Sequence, residues 1–311
     1  MNFTKKPLHA VLFAALLGSL CAPLAAQERD RTFVGYGRLL TNDLLGDGHD
    51  RWQTGSLQTS RVWAPHRSDI VPTRFGDMIE FRLNAQVTAP WDLTRRAFGD
   101  RKFGTALTFG VHTHFQPKHW EYSLGLETSI LGKKNGLETI QSTIHDLVGA
   151  DQPSQFVTKN QIKSQVLLGG VAEASRDFDF SDRLRMVPFA ELRLGMESLV
   201  RFGADINIGH IAKRDFAICD AVTGFKYATV IHPEQGTSFI LGADTAFVQK
   251  SAFLPSDGWA QLTNIRHRVR AGVLHKGKRI DWFYGATWLS PEFDQQASGQ
   301  IVGSLRIDLK F

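Results

Sequence analysis

The last nine residues, Gly303-Ser304-Leu305-Arg306-Ile307-Asp308-Leu309-Lys310-Phe311, leave few architectures open. Leu305, Ile307, Leu309 and Phe311 fall on one face of a strand, and Arg306, Asp308 and Lys310 fall on the other. A soluble β-sandwich also alternates, but it rarely brings charges in register to a buried inner face, and it has no reason to end on an aromatic. A membrane barrel, apolar towards lipid and polar within, accounts for both features.

The rest of the chain repeats the pattern. Residues 78–88 read Met-Ile-Glu-Phe-Arg-Leu-Asn-Ala-Gln-Val-Thr, with Ile79, Phe81, Leu83, Ala85 and Val87 alternating against polar partners. Strand-like segments are expected at 32–40, 54–63, 78–88, 103–115, 120–131, 163–173, 184–196, 199–209, 237–248, 265–274, 280–289 and 300–311. That is an antiparallel transmembrane β-barrel of about twelve strands, an even number as bacterial barrels have. Most segments hold about ten residues, enough to cross a bilayer as a tilted strand. Residues 116–119 read as a hairpin turn, and 177–182, 197–198 and 276–278 as connections. One stretch departs from period two. Leu137, Ile140, Ile144, Leu147 and Val148 recur at three- and four-residue spacing, so the insertion between Gly132 and about Ser164 is expected to carry a short amphipathic helix ending at Gly149.

Both ends of the composition argument agree. Lys5 and Lys6, an apolar run from Leu8 to Leu20 and small residues closing at Ala25-Ala26 make the three parts of a signal peptide, so residues 1–26 are expected to be removed and 27–311 to form a single outer-membrane barrel domain. Leu20 before Cys21 argues against lipidation, which wants a small residue there. Without the leader only Cys219 remains, so no internal disulfide can form, and a closed hydrogen-bond ladder is the alternative source of stability. With 28 Gly, 22 Phe and seven Trp, and a mean hydropathy of -0.18, the chain is too polar for membrane helices. Removing Lys5 and Lys6 from the formal +5 leaves about +3, and no basic tract points to nucleic acid.

Chemistry is hardest to place on a barrel, since many are passive pores. There is no G-x-S-x-G elbow, no H-E-x-x-H pair and no C-x-x-C, which argues against a soluble-type serine hydrolase or a zinc protease. Residues 41–56 concentrate Asn42, Asp43, Asp47, His49, Asp50 and Thr54 between the first two strands. Such a stretch is either a solvated hairpin loop or a place to bind a cation and position a water. Asp47 and Asp50 stand nearer the loop reading than Asp43. On the expected helix Gln141 and His145 are four apart and share a face, where an amide can orient an imidazole. His112, His114 and His119 cluster around one hairpin, but the first two share a strand face, which favours the barrel interior or rim over a metal site.

Several of these segments together resemble the outer-membrane lipid A 3′-O-deacylase family. The resemblance rests on Asn42-Asp43, Arg51-Trp52-Gln53-Thr54-Gly55, Gly99-Asp100-Arg101, the helix segment from Gln141 to Gly149, Asn160-Gln161-Ile162, and the run from Pro291-Glu292-Phe293 to Phe311. No single motif is specific; their order and spacing are. The resemblance implies a calcium-dependent esterase acting on lipopolysaccharide, a twelve-stranded barrel whose active site lies between the wall and a helix in an extracellular loop, with Asn42, Asp43, Thr54 and His145 in the site, Gln141 beside the histidine, and Asp43 the carboxylate for Ca²⁺. The family's Lys in the loop after the third strand is replaced here by Arg95 or Arg96, which can grip a phosphate in bidentate fashion but cannot donate a proton at working pH. A water activated by neutral His145 would attack the 3′-linked ester, with positive charge stabilising the oxyanion. A barrel phospholipase and a non-catalytic barrel, a pore or a lipid-binding protein, are the alternatives. The working form is expected to be a monomer.

Overall fold

The computed structural model of the protein describes residues 31–65, 71–94, 99–148, 152–211 and 215–310. The expected signal peptide lies outside the described residues. In chain order the strands are β1 (Thr32–Asn42), β2 (Trp52–Ala64), β3 (Met78–Ala89), β4 (Gly104–Phe115), β5 (Glu121–Leu131), β6 (Gln165–Ser175), β7 (Phe178–Ser181), β8 (Leu184–Leu194) and β9 (Glu197–Ile208), followed by β10 (Phe216–Cys219), β11 (Lys226–Val230), β12 (Gly236–Ser251), β13 (Ile265–Lys276), β14 (Ile280–Leu289) and β15 (Gln300–Leu309). Twelve of them form a closed antiparallel barrel. Neighbours in sequence pair, β6 meets β8, β9 meets β12, and β1 closes the wall on β15 with Leu40 opposite Leu305. Closure gives each wall strand a neighbour on both sides, as lipid demands, where an unpaired backbone group costs several kcal/mol.

Period two decides which side is which. In β3, Phe81 and Leu83 are exposed to the outside while Glu80, Arg82 and Asn84 are buried within. In β15, Ile307 and Leu309 face out and Arg306 faces in, as the C-terminal pattern requires. The interior is an interlocked charge lattice. Glu80 holds Arg82 at 2.7 Å and His114 at 2.7 Å; Asp244 holds Arg268 at 2.9 Å and Arg270 at 2.5 Å. His112 lies 3.4 Å from Glu127, so both strand histidines belong to the lumen, as their shared face predicts.

Residues 215–235, for which the sequence suggested no element, fold back into the lumen. β10 and β11 form a hairpin inside the barrel, with Phe216 opposite Val230 and Cys219 opposite Lys226. The Tyr227 hydroxyl sits 2.7 Å from Ser60 Oγ and accepts from Gln58 Nε2 at 3.0 Å, and Arg268 donates to the carbonyls of Ala221 and Val222. Gly35 and Gly37 allow this approach: a Cβ on either would fall within 2.6 Å of the hairpin's carbonyl oxygens. By the rule that bacterial barrels carry short periplasmic turns and long outer loops, the connections at 43–51, 90–103, 132–164, 252–264 and 290–299 form the extracellular end.

Candidate active site

At the extracellular end, β1 and β2 enclose the polar stretch singled out in the sequence. Asn42 Nδ2 donates to the Thr54 carbonyl at 3.0 Å, and the Asp43 amide donates to the same oxygen at 3.1 Å. Asn42 Oδ1 accepts from the Leu44 amide at 2.9 Å, which fixes the side-chain amide at both ends. Asp43 Oδ2 accepts from the Arg51 amide at 2.9 Å. Three of the expected residues, Asn42, Asp43 and Thr54, are therefore brought together by one short loop.

The β2 side of this loop is irregular. Trp52 has φ 51°, a left-handed conformation that a bulky side chain adopts at a cost of about 1–3 kcal/mol. The β2–β3 register shifts between Gln53 and Gly55, so Thr54 is the extra residue of a β-bulge. Gln53 bonds the luminal Gln86, Oε1 accepting from Nε2 at 2.8 Å, and Ser56 is buried towards the lumen. The bulge puts Gly55 opposite Asn42, where a Cβ on Gly55 would lie 3.3 Å from Asn42 Nδ2, and leaves Thr54 buried between the luminal residues. Around this turn Arg51 stacks over the rings of Trp52 and Trp91 at 4.6 and 4.3 Å, and Asp100 accepts from the Trp91 amide and from the Trp52 side chain. Arg101 pairs with Glu292, which Arg266 also reaches at 3.2 Å, joining the outer loops.

Electrostatically the centre of the site is Asp43. Its side chain is 1% exposed; burial pushes its carboxyl up to about 8, helped by the nearby charges of Asp50 and Asp47. Among the described residues Asp43 Oδ1 and the Thr54 and Ser56 hydroxyls have no hydrogen-bond partner. A buried carboxylate oxygen with two further acidic groups nearby suits a hard, oxygen-ligated cation. Asp47 is committed elsewhere, accepting from Arg51 Nη2 at 3.1 Å and from the amides of His49 and Ile301. Among the described residues no three His, Cys, Asp or Glu side chains converge on one point.

The helix of the long outer loop is present as expected, over Leu137–Val148. Asn135 anchors its start, its Oδ1 accepting from the Leu137 amide and from Thr105 Oγ1 on β4, its Nδ2 donating to the Ile130 carbonyl. Gln152 then clips Ser142 and Asp146. Gln141 is buried while Ile140 is exposed, so the helix buries the Gln141 side. His145 lies in this helix, but its side chain falls outside the described residues. Arg95 and Arg96 also lie outside them. Of the site's supporting parts, sequence reasoning quoted Arg51, Trp52 and Gln53 without a role and missed Trp91 and Gln300. A left-handed Trp has no sequence signature, and Gln300 is 247 positions from Gln53.

The sequence model of the family described as outer membrane protein LpxR matches residues 11–311. The chain belongs to the LpxR family. This is the lipid A 3′-O-deacylase family that the motifs resemble, and family and barrel together put the protein in the outer membrane. No curated protein matches the sequence. Among solved structures, LpxR from Salmonella typhimurium aligns with a TM-score of 0.71 at 17% identity, over 89% of this chain and 100% of that one, a likeness of fold. The KdgM porin in complex with disordered oligogalacturonate gives a TM-score of 0.39 at 7% identity, over 89% and 98% of the two chains.

Proposed function

We propose that this LpxR-family barrel hydrolyses the 3′-O-linked acyl ester of lipopolysaccharide lipid A at the outer rim of the outer membrane, working as a monomer exported with a signal peptide removed after Ala26. The observation that carries the reading is the meeting of Asn42, Asp43 and Thr54 at one bulge, with a buried carboxylate oxygen left uncompensated.

In this mechanism His145 acts as general base. Its neutral imidazole takes a proton from water while the water oxygen bonds to the ester carbonyl carbon, and the resulting imidazolium returns the proton to the departing 3′ oxygen. The products are a fatty acid and a free 3′ hydroxyl. The Thr54 hydroxyl orients the water or the ester, and Asn42 holds the Thr54 carbonyl and the start of the loop in place. Gln141 sets the imidazole's orientation from one helical turn away. Asp43 is the carboxylate for Ca²⁺, which when bound supplies the positive charge that an ester oxyanion needs. Arg95 and Arg96 serve the anionic headgroup as bidentate phosphate partners rather than as acids.

The test is mass spectrometry of lipid A incubated with the detergent-solubilised protein in calcium, in chelator, and with His145→Ala. Calcium-dependent loss of one 3′-linked acyl chain, absent in the variant, is the expected outcome. An unchanged lipid A mass with a folded barrel would sink the reading. Release from phospholipid instead would identify a barrel phospholipase.

A further inference from the structure

Strand β15 reaches the Asn42–Thr54 loop through one side chain. Gln300 is 2% exposed; its Oε1 accepts from the Gln53 amide at 2.9 Å, and its Nε2 donates to the Arg51 carbonyl at 2.6 Å and to the Gln53 carbonyl at 3.3 Å. These groups belong to the residues on either side of Trp52, the one with φ 51°. The β1–β2 ladder ends at Asn42 and Gly55, so the polar groups of Arg51 and Gln53 on that side need side-chain partners. One amide supplies three of them. The next residue, Ile301, donates its amide to Asp47, so the start of β15 holds both sides of the loop.

We infer that Gln300 is a positioning residue for the proposed deacylation: it holds the Arg51–Gln53 turn in its left-handed form and thereby sets the bulge whose Thr54 carbonyl accepts from Asn42 and Asp43. The assignment rests on the reading given under Proposed function. Gln300 touches no reacting atom in this scheme. Its amide is required at both ends, because the acceptor serves an N–H and the donor serves two carbonyls. A carboxylate in its place keeps the first bond and sets an anionic oxygen against the two carbonyls.

The test compares Gln300→Ala and Gln300→Glu with Ser304→Ala. Ser304 shares a 2.9 Å hydroxyl contact with Thr41 in the same β1–β15 seam, away from Trp52, so it controls for the loss of a buried polar contact in the wall. Two readouts are taken on heat-modifiable, folded protein. One is kcat and KM for acyl release from lipid A. The other is the exciton couplet in circular dichroism from the Trp52 and Trp91 rings, whose centroids are 5.3 Å apart, with Trp91→Phe defining its loss.

The expected result is a fall in kcat of about a hundredfold in both Gln300 variants, the scale of an ångström-level misplacement, with KM within about twofold. The couplet should weaken in both, and Ser304→Ala should keep kcat and couplet. A Gln300→Ala protein indistinguishable from Ser304→Ala overturns the inference. If Gln300→Ala does not assemble, Gln300→Asn carries the same comparison. A wild-type protein that releases no acyl chain fails the functional reading alone; the couplet then decides whether Gln300 holds the turn.

Discussion

Asn42 Nδ2 and the Thr54 carbonyl oxygen are 3.0 Å apart, and this bond ties the last residue of β1 to the bulged residue of β2. The same oxygen receives the Asp43 amide, so one carbonyl fixes the two neighbouring residues that begin the site. Replacing Asn42 by Ala removes the side-chain donor and the acceptor for the Leu44 amide. The expected outcome is a loss of acyl release of about a hundredfold, with stability lowered by about 1 kcal/mol. Lipid A mass spectrometry and a thermal melt of the same preparation check the two parts separately.

A second prediction concerns pH. The Asp43 carboxyl is pushed up to about 8, so below that value the cation-free site holds a proton that a cation must displace. Calcium affinity should therefore drop about tenfold per pH unit between pH 8 and pH 6 and level off above pH 8. The stability sign follows the same direction. A carboxyl raised above its unfolded value favours the folded state below the unfolded value, near 4, and that contribution is lost as pH rises through about 8. Added calcium should thus stabilise the protein more at pH 9 than at pH 6. Calcium titrations and melts across that range, with Asp43→Asn as the variant that loses the dependence, test both statements.

The wall was legible because period two survives tertiary context: Phe81 and Leu83 can face lipid only if Glu80 and Arg82 face the lumen. The loop helix was legible for the matching reason at period 3.6. The luminal hairpin was not, since Phe216–Cys219 and Lys226–Val230 are four and five residues long and find their wall partners far along the chain, as Tyr227 finds Gln58 169 positions away. In the site, Asn42 and Asp43 were readable as residue types, whereas the place of the Thr54 carbonyl depends on a bulge that only the β2–β3 register reveals. Residues 177–182 illustrate the limit at the small end: a stretch read as a connection contains the short strand Phe178–Ser181, which extends the β8 hairpin.

The outer loops carry their own stability switch. Glu292 pairs with Arg101 and Arg266, and the Arg101 guanidinium, with that of Arg266, holds its carboxyl below the usual range against the cost of burial. A depressed carboxylate contributes stability that is present above its unfolded value and lost as pH falls through the folded one. Acidification below the ordinary glutamate range should loosen the 90–103 and 290–299 loops before the barrel wall opens. Glu292→Gln should reproduce this at neutral pH at a cost of about 3 kcal/mol, because it leaves buried Arg101 without its carboxylate. Limited proteolysis of the outer loops as a function of pH, compared with heat-modifiability of the barrel, separates the two events.

The luminal hairpin yields the last prediction. A passive pore needs an open lumen, and here β10 and β11 occupy the part of it lined by Ser60, Gln58 and Arg268. The intact protein should show no steady conductance in planar bilayers. Replacing residues 216–230 with a short Gly-Ser linker removes the Tyr227 and Ala221 contacts while leaving the barrel pairings in place, since among the described residues no wall strand ladders with β10 or β11. That variant should conduct, and it should retain acyl release, because its lesion lies away from the Asn42–Thr54 loop. Conductance in the intact protein would favour the pore alternative; loss of acyl release in a folded, conducting variant would mean that the hairpin supports the site through the wall.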